Sequence, residues 1–294
     1  NGPIISEPAN FYRFAGMGNF DAIYPTLIES YLTDLQKEKV LGLIVSINSP
    51  GGSVSASHTI YNLFNQFKIK NNIPLYFYST DMLTSGAYWV SLSANKIFTN
   101  YGALIGSIGV KGPDWIYYNS PTSLSTGLLG NAVESPKGIE LFSNTAGISK
   151  DILNPFRQPS KKEISQLQNM VNNIYNDFVN LVSSNRKIEK NIVVNEIGAM
   201  IYNSKEAQKH YLIDGQKNIN ETIEVMAKEL NLDNINIISN NKKNLFNFQK
   251  FNFFMNVFDN KQYTLNENLI NKKFCNNIKN EFSVATFNFY SSMC

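Results

Sequence analysis

Apolar and polar positions follow two rhythms along the first 235 residues of this chain. Leu41 to Ile47 (LGLIVSI) is an almost continuous apolar run, the pattern of a strand buried on both faces of a parallel sheet. It stops at Asn48-Ser49-Pro50-Gly51-Gly52, a turn. From about Ser55 to Lys68 the spacing changes to three and four, with Ile60, Leu63, Phe64 and Phe67 on one face, which predicts a helix. A second strand, Pro74 to Tyr78, leads through Ser79-Thr80-Asp81 to Thr84-Ser85-Gly86-Ala87 and a helical stretch from Tyr88 to Ser93. A third strand, Lys96 to Thr99, precedes the glycine-rich run Gly102 to Val110. Strand, turn and helix repeat, and the repetition predicts an α/β domain built of βαβ units.

Further on, Ser160-Lys-Lys-Glu163 reads as a capping box that opens a long helix ending near Ser184. Ile164, Leu167, Met170, Val171, Ile174, Tyr175, Phe178, Leu181 and Val182 recur at helical spacing and predict a broad apolar face for a structural helix. A weaker helix begins near Ser204 and closes before Leu212-Ile213-Asp214-Gly215. The expected organisation is an N-terminal segment over 1–20, the α/β domain over 21–235 and a C-terminal extension over 241–294. The extension has a different composition, with 13 Asn and 10 Phe among its 54 residues, and its structure is not predicted. No internal repeat is visible.

Composition mainly removes alternatives. A chain of 294 residues with 43% hydrophobic content can bury at least one sizeable core. A net charge of +3 with 17% charged residues is too weak a bias for a nucleic-acid partner. No run of eighteen apolar residues spans a bilayer. The chain starts at Asn1 rather than Met, so a signal or anchor could precede it, and a cytoplasmic location does not follow. The two cysteines, Cys275 and Cys294, make no disulfide framework and stand far from every motif. The two histidines, His58 and His210, have no metal-ligand spacing, so neither a zinc site nor a cysteine protease is expected. A Ser-His-Asp enzyme would have to use one of these two.

Two glycine-rich turns can carry chemistry. Ser49-Pro50-Gly51-Gly52 follows a buried strand at its C-terminal end, where open α/β sheets hold ligands, and its backbone N–H groups could hold an oxyanion. Taken alone it is more simply a tight strand-to-helix connection. Thr84-Ser85-Gly86-Ala87 could project the Ser85 hydroxyl from a sharp turn, with the next N–H nearby. Taken alone, Ser85 is more simply the N-cap of the following helix. A serine needs a base to take its proton. Neither histidine follows an acidic residue in a way that suggests an oriented triad. A lysine in a dry pocket loses its charge and can serve; residue chemistry alone does not choose among Lys96, Lys111, Lys137 and Lys150.

Taken in order, SINSPGGSV, TSGAYWVS, GSIGV, SKDILNPFR and YNSKEAQKHYLIDG resemble the signal peptide peptidase A family, the protease IV-like or S49 serine peptidases. The resemblance covers roughly Gly42 to Gly215, with weaker support to about Leu230. It implies a ClpP/crotonase-like α/β fold, a repeated ββα spiral, with 21–235 as the peptidase domain. It implies Ser85 as nucleophile, Lys150 as general base, and Ser107 as the hydroxyl that orients the lysine amine. Pro155 and Arg157 anchor the match around Lys150. The backbone of Gly52 and, by analogy, of Gly86 would form the oxyanion hole. No cofactor or metal is implied. The expected substrates are short hydrophobic peptides, such as cleaved signal peptides or membrane-protein remnants.

Some relatives fuse two copies of the unit. This chain has one, so a ring-like homo-oligomer is expected, with Ser and Lys able to meet across neighbouring units. Membrane association through a segment outside this chain, with an extracytoplasmic catalytic domain, is also implied. Between Ser107 and Lys150 the stretch Tyr117 to Asn144 is longer than in compact members, which suggests a loop or hairpin near the cleft. Two other readings stay open: crotonase-type acyl-CoA chemistry, and a catalytically silent scaffold. The first usually needs carboxylates, and neither glycine turn carries one. The second has no need of Ser85, Lys150 and Ser107 together.

Overall fold

The computed structural model describes residues 1–7, 22–38, 40–117, 144–232 and 235–238. The long loop expected between Ser107 and Lys150, Lys137 within it, and the extension with both cysteines fall outside the described residues. Contacts group the chain into two units, Asn1–Ile237 and Ile238–Cys294. The fold below is that of the first.

The expected α/β architecture is present as three successive ββα turns of chain. Strand β1 (Leu43–Ser46) precedes a single bridging residue, Ser49, and helix α2 (Val54–Asn71). Strands β2 (Leu75–Ser79) and β3 (Met82–Thr84) precede helix α3 (Gly86–Ser91). Strands β4 (Lys96–Thr99) and β5 (Leu104–Gly106) are followed, much later, by the long helix α4 (Lys161–Arg186). Helix α1 (Pro25–Gln36) lies before the first unit.

The first strand of each unit joins one sheet and the second joins another. The outer sheet has the order β1-β2-β4-β7 and is parallel throughout, with β7 at Gly215–Gln216. The inner sheet has the order β3-β5-β6, β6 being Ile201–Asn203, with β3 parallel to β5 and β5 antiparallel to β6. Ser49 extends the inner sheet by a parallel bridge to Leu83. This alternation is the ββα spiral.

Burial explains why β2 is central. All five of its residues are buried, and neighbours alternate between two cores as strand geometry requires. Leu75 and Phe77 face α2, where the Phe64 ring meets Phe77 edge-on at 5.3 Å. Tyr76 and Tyr78 face the opposite way and pack with Phe98 and Met226, the latter on helix α7 (Ile219–Glu229). Glu229 at the end of α7 accepts hydrogen bonds from Tyr76 and Lys96, fastening that helix to the sheet.

Helix α4 carries the expected capping box, but its apolar face is used unevenly. Phe178 and Val182 are buried, and Phe178 stacks on Trp89 at 4.8 Å. Ile164 and Met170 are 53% and 44% exposed. The buried apolar residues of α4, Phe178, Val179 and Val182, lie in its C-terminal half, which precedes helix α5 (Lys190–Ile192) and its π-helical continuation Val193–Ile197. Helix α6 (Ser204–Lys209) occupies the position expected of the weaker helix. Among the described residues, no helix is long and apolar enough to cross a membrane.

One side chain ties the two sheets together. Asn48, just past β1, accepts at Oδ1 from Ser79 Oγ (2.8 Å), Thr80 N (3.0 Å) and Asp81 N (2.9 Å), with Met82 N farther off at 3.4 Å. Its Nδ2 donates to Thr80 Oγ1. The chain passes from β2 in the outer sheet to β3 in the inner sheet through these donors. Asn48→Ala leaves several of them without an acceptor and should cost about 3 kcal/mol of stability, at roughly 1–3 kcal/mol for each stranded group. Urea unfolding checks this; a midpoint unchanged from the parent would show that the amide does not organise the crossing.

Candidate active site

Three turns leave the same end of the inner sheet. Ser49 N donates to Met82 O at 2.8 Å and Thr84 N to Ser49 O at 3.3 Å, aligning the Gly51-Gly52 turn with the end of β3. Thr84 is in register with Gly106, and Ser85 N donates to Gly106 O at 2.8 Å, aligning the ends of β3 and β5. Gly52, Ser85, Gly86 and Ser107 therefore gather at the C-terminal ends of neighbouring parallel strands, where α/β sheets hold ligands.

The glycine positions are sterically required. Gly51 has φ +92°, and a Cβ there would lie 2.5 Å from Gly86 N. A Cβ on Gly86 would meet Ser57 Oγ at 2.3 Å and Gly52 N at 3.2 Å. The two turns thus lie backbone against backbone, which no larger residue permits. Among the described residues, neither Gly52 N–H nor Gly86 N–H has a hydrogen-bond acceptor, while Gly51 N–H is satisfied by Ser49 Oγ at 3.1 Å.

Ser85 occupies the N-cap position of α3, yet its side chain makes no capping hydrogen bond. Its backbone is at φ 52°, ψ −124°, a region that side-chain-bearing residues rarely enter. The simple capping role considered from sequence therefore does not account for it. A strained residue at the sharp end of a strand, whose hydroxyl has no hydrogen bond among the described residues, has the form of a nucleophile turn. Ser107, one residue past β5, also has positive φ, at 52°. Its N–H donates to Met200 O at 2.8 Å.

Lys150 lies on a fourth turn, over residues 148–153. It is exposed, and among the described residues its amine has no hydrogen bond to Ser85 or Ser107. The turn that carries it is firmly held. Arg157 donates to both oxygens of Asp151 (2.6 and 2.8 Å) and to both of Glu163 (3.0 and 2.7 Å), and lies over the Trp115 ring at 5.1 Å. Glu163, 5% exposed, also accepts from Ser160 N and Oγ at the cap of α4. The guanidinium beside them holds both carboxyls below the usual range. Of the other lysines weighed from sequence, Lys96 pairs with Glu229 and Lys111 with Asp114. His58 is exposed, with its ring edge-on to Trp89 at 6.4 Å, and His210 stacks on Tyr202 at 4.7 Å.

Sequence reasoning did not find Asn48 or Ile4, whose backbone pairs with the Gly51-Gly52 turn. Neither residue type signals chemistry. Only the turn character of Asn48 was legible.

The strained backbone yields a test. Ser85→Gly should raise stability by about 1 kcal/mol, the lower end of the 1–3 kcal/mol that such a conformation costs. Denaturant titration measures it. A destabilised Ser85→Gly protein would mean that the turn is not under strain.

Comparison with known proteins bears on this site. The profile of Peptidase family S49 matches residues 68–233, more than half of the chain, a span that includes Ser85, Ser107 and Lys150 but not Gly52. A provisionally named protease of Methanocaldococcus jannaschii is 31% identical over 208 residues, covering 70% of this chain and 62% of that protein. A provisionally named signal peptide peptidase SppA of Enterococcus faecium is 28% identical, with 71% of this chain and 58% of that protein covered. The chain thus spans about three-fifths of the length of these two curated relatives. Among solved structures, a variant of the 1510-N membrane-bound stomatin-specific protease aligns over 76% of this chain and 82% of its own, with 16% identity and a TM-score of 0.41. On the family match, the chain belongs to Peptidase family S49.

Proposed function

We propose that the chain is a serine peptidase in which Ser85 attacks and Lys150 is the base. The observation that carries this reading is the backbone of Ser85: strained, without a side-chain cap, and bordered at Gly52 and Gly86 by two N–H groups that have no acceptor among the described residues. The Ser85 hydroxyl adds to the scissile carbonyl while its proton passes to the neutral Lys150 amine. Gly52 and Gly86 N–H donate to the oxyanion that forms. The C–N bond then breaks, the lysine ammonium protonates the departing amine, and an ester to Ser85 remains. Lys150 next takes a proton from water, whose oxygen adds to the ester carbon; the acyl–Oγ bond then breaks, the lysine ammonium returns the proton to Ser85 Oγ, and the acid leaves. Ser107 orients the amine.

Because Lys150 is exposed in the single chain, the reading includes a homo-oligomer in which a neighbour supplies Lys150 to each Ser85. The uncovered apolar residues Ile164 and Met170 on α4 favour contact with another copy. The substrates proposed are short hydrophobic peptides such as cleaved signal peptides, hydrolysed at a membrane on the extracytoplasmic side.

Ser85→Ala should fold normally and lose peptide hydrolysis by about 10⁴-fold or more, measured by turnover of a fluorogenic hydrophobic peptide. Lys150→Ala should be as inactive, and Lys150→Arg should not rescue it, since a guanidinium stays protonated. His58→Ala and His210→Ala should each keep at least about a tenth of the activity, a loss of only ~1.4 kcal/mol. Near-normal turnover in a folded Ser85→Ala protein, or substantial activity in Lys150→Arg, would defeat this mechanism.

The shared site has its own test. Inactive Ser85→Ala and Lys150→Ala chains, mixed under conditions where differently tagged subunits exchange, should recover partial activity, and sedimentation should give a mass well above 33.2 kDa. Mixed assemblies that stay inactive would put both groups of each dyad in one chain. A fully active monomer would end the assembly reading.

A further inference from the structure

The Gly51-Gly52 turn is gripped from the side opposite Gly86. Residues 3–5 form a short extended segment that lies between Ile23 and the turn, with parallel bridges from Ile4 to both Ile23 and Gly52. Ile4 N donates to Gly51 O at 2.8 Å, and Ser53 N donates to Ile4 O at 2.8 Å. On the other edge, Ile5 N donates to Ile23 O at 2.9 Å and Ile23 N to Pro3 O at 3.0 Å. Gly2 N reaches Asn48 O at 3.0 Å. The Ile4 side chain is 1% exposed within the main core, so the segment is anchored by burial as well as by pairing.

The direction of one of these bonds matters for the site. Gly51 C=O and Gly52 N–H belong to the same peptide unit, which is planar and trans, so the two point in opposite directions. A donor that fixes the carbonyl toward Ile4 therefore fixes the N–H away from Ile4, on the side where Gly86 packs. Glycines on both sides of this peptide, at φ +92° and +150°, leave its rotation little opposed by side chains. A carbonyl without a partner would let the peptide turn, and the N–H would leave the site. Closeness is also enforced: a Cβ on Gly52 would lie 2.0 Å from Ile4 O.

We infer that Ile4 is a positioning residue, whose backbone N–H orients the Gly52 N–H toward the oxyanion formed at Ser85. The inference rests on the peptidase reading above, in which Gly52 N–H is an oxyanion donor. Ile4 touches no substrate, and its effect is confined to the step in which the carbonyl oxygen gains charge. A lost oxyanion donor costs about 10²–10³-fold in kcat, so a misaligned one should cost about 10–100-fold.

The test compares Ile4→Pro, which removes the N–H and keeps the carbonyl, with Ile4→Val, which keeps both. Ile4→Pro should lower kcat about 10–100-fold with KM within about twofold of the parent. It should weaken inhibition by a peptide boronate, whose adduct on Ser85 is tetrahedral, by about the same factor. Ile4→Val should match the parent in both. If Ile4→Pro does not fold, replacing the Ile4 amide by an ester, through ligation of a synthetic N-terminal segment, removes the same hydrogen and is judged by the same outcomes. Parent-like kcat and boronate affinity in a folded protein without the N–H would overturn the inference. So would equal losses in Ile4→Val, which would trace the effect to side-chain packing. Activity retained in Ser85→Ala defeats the peptidase reading itself; an inactive Ser85→Ala beside an unimpaired Ile4→Pro defeats only the role of Ile4.

Discussion

The parallel pairing of the short inner strands is the constraint on which the site depends. Ser49 pairs with Leu83 and Thr84 with Gly106, and each pairing is immediately followed by a turn that carries a candidate group. The three ββα units deliver their turns to one place because their second strands share a register. A slip of one residue would send alternate side chains to the other face and separate the Ser85 N–H from Gly106 O. Inner strands of three residues offer few hydrogen bonds of their own. Their alignment leans on the buried outer sheet through Asn48, which gathers the donors of the β2–β3 crossing at one oxygen.

Around that sheet end, stability is exchanged for geometry. Ser85 and Ser107 both have φ of 52°, and the Gly51-Gly52 backbone lies against Ser85-Gly86 with no room for a side chain. Such conformations persist only where neighbours over-determine them. Here the neighbours are the inner-sheet hydrogen bonds on one side and the Ile4 segment on the other. The N-terminal residues thus belong to the same packed body as the site.

The Lys150 turn follows a different logic. It is positioned by charge, with one guanidinium held between two carboxylates and against an aromatic face, at the cap of α4. This clamp fixes the turn while leaving Lys150 itself exposed. The half-used apolar face of α4, with Ile164 and Met170 exposed, begins beside the same clamp.

Strand β4 and the cap of α4 were legible in the sequence because each rests on local chemistry: a short apolar run, and a serine three residues before a glutamate. The α/β class followed from the repetition of such local signals, and β1, β2 and α2 were found with ends displaced by a residue or a few. The inner strands β3, β5 and β6 were not found, since three residues carry too little periodicity to register. The motifs singled out Gly52, Ser85, Gly86, Ser107 and Lys150 by resemblance, residue by residue. Only the tertiary structure decided that the first four share one sheet end, and that Lys150 is exposed on a turn of its own. It also decided that Asn48 and Ile4 hold that end together. Their contributions are an amide bridging two strands and a backbone N–H facing a carbonyl 47 residues away, and long-range backbone pairing leaves no mark on the residue type that provides it.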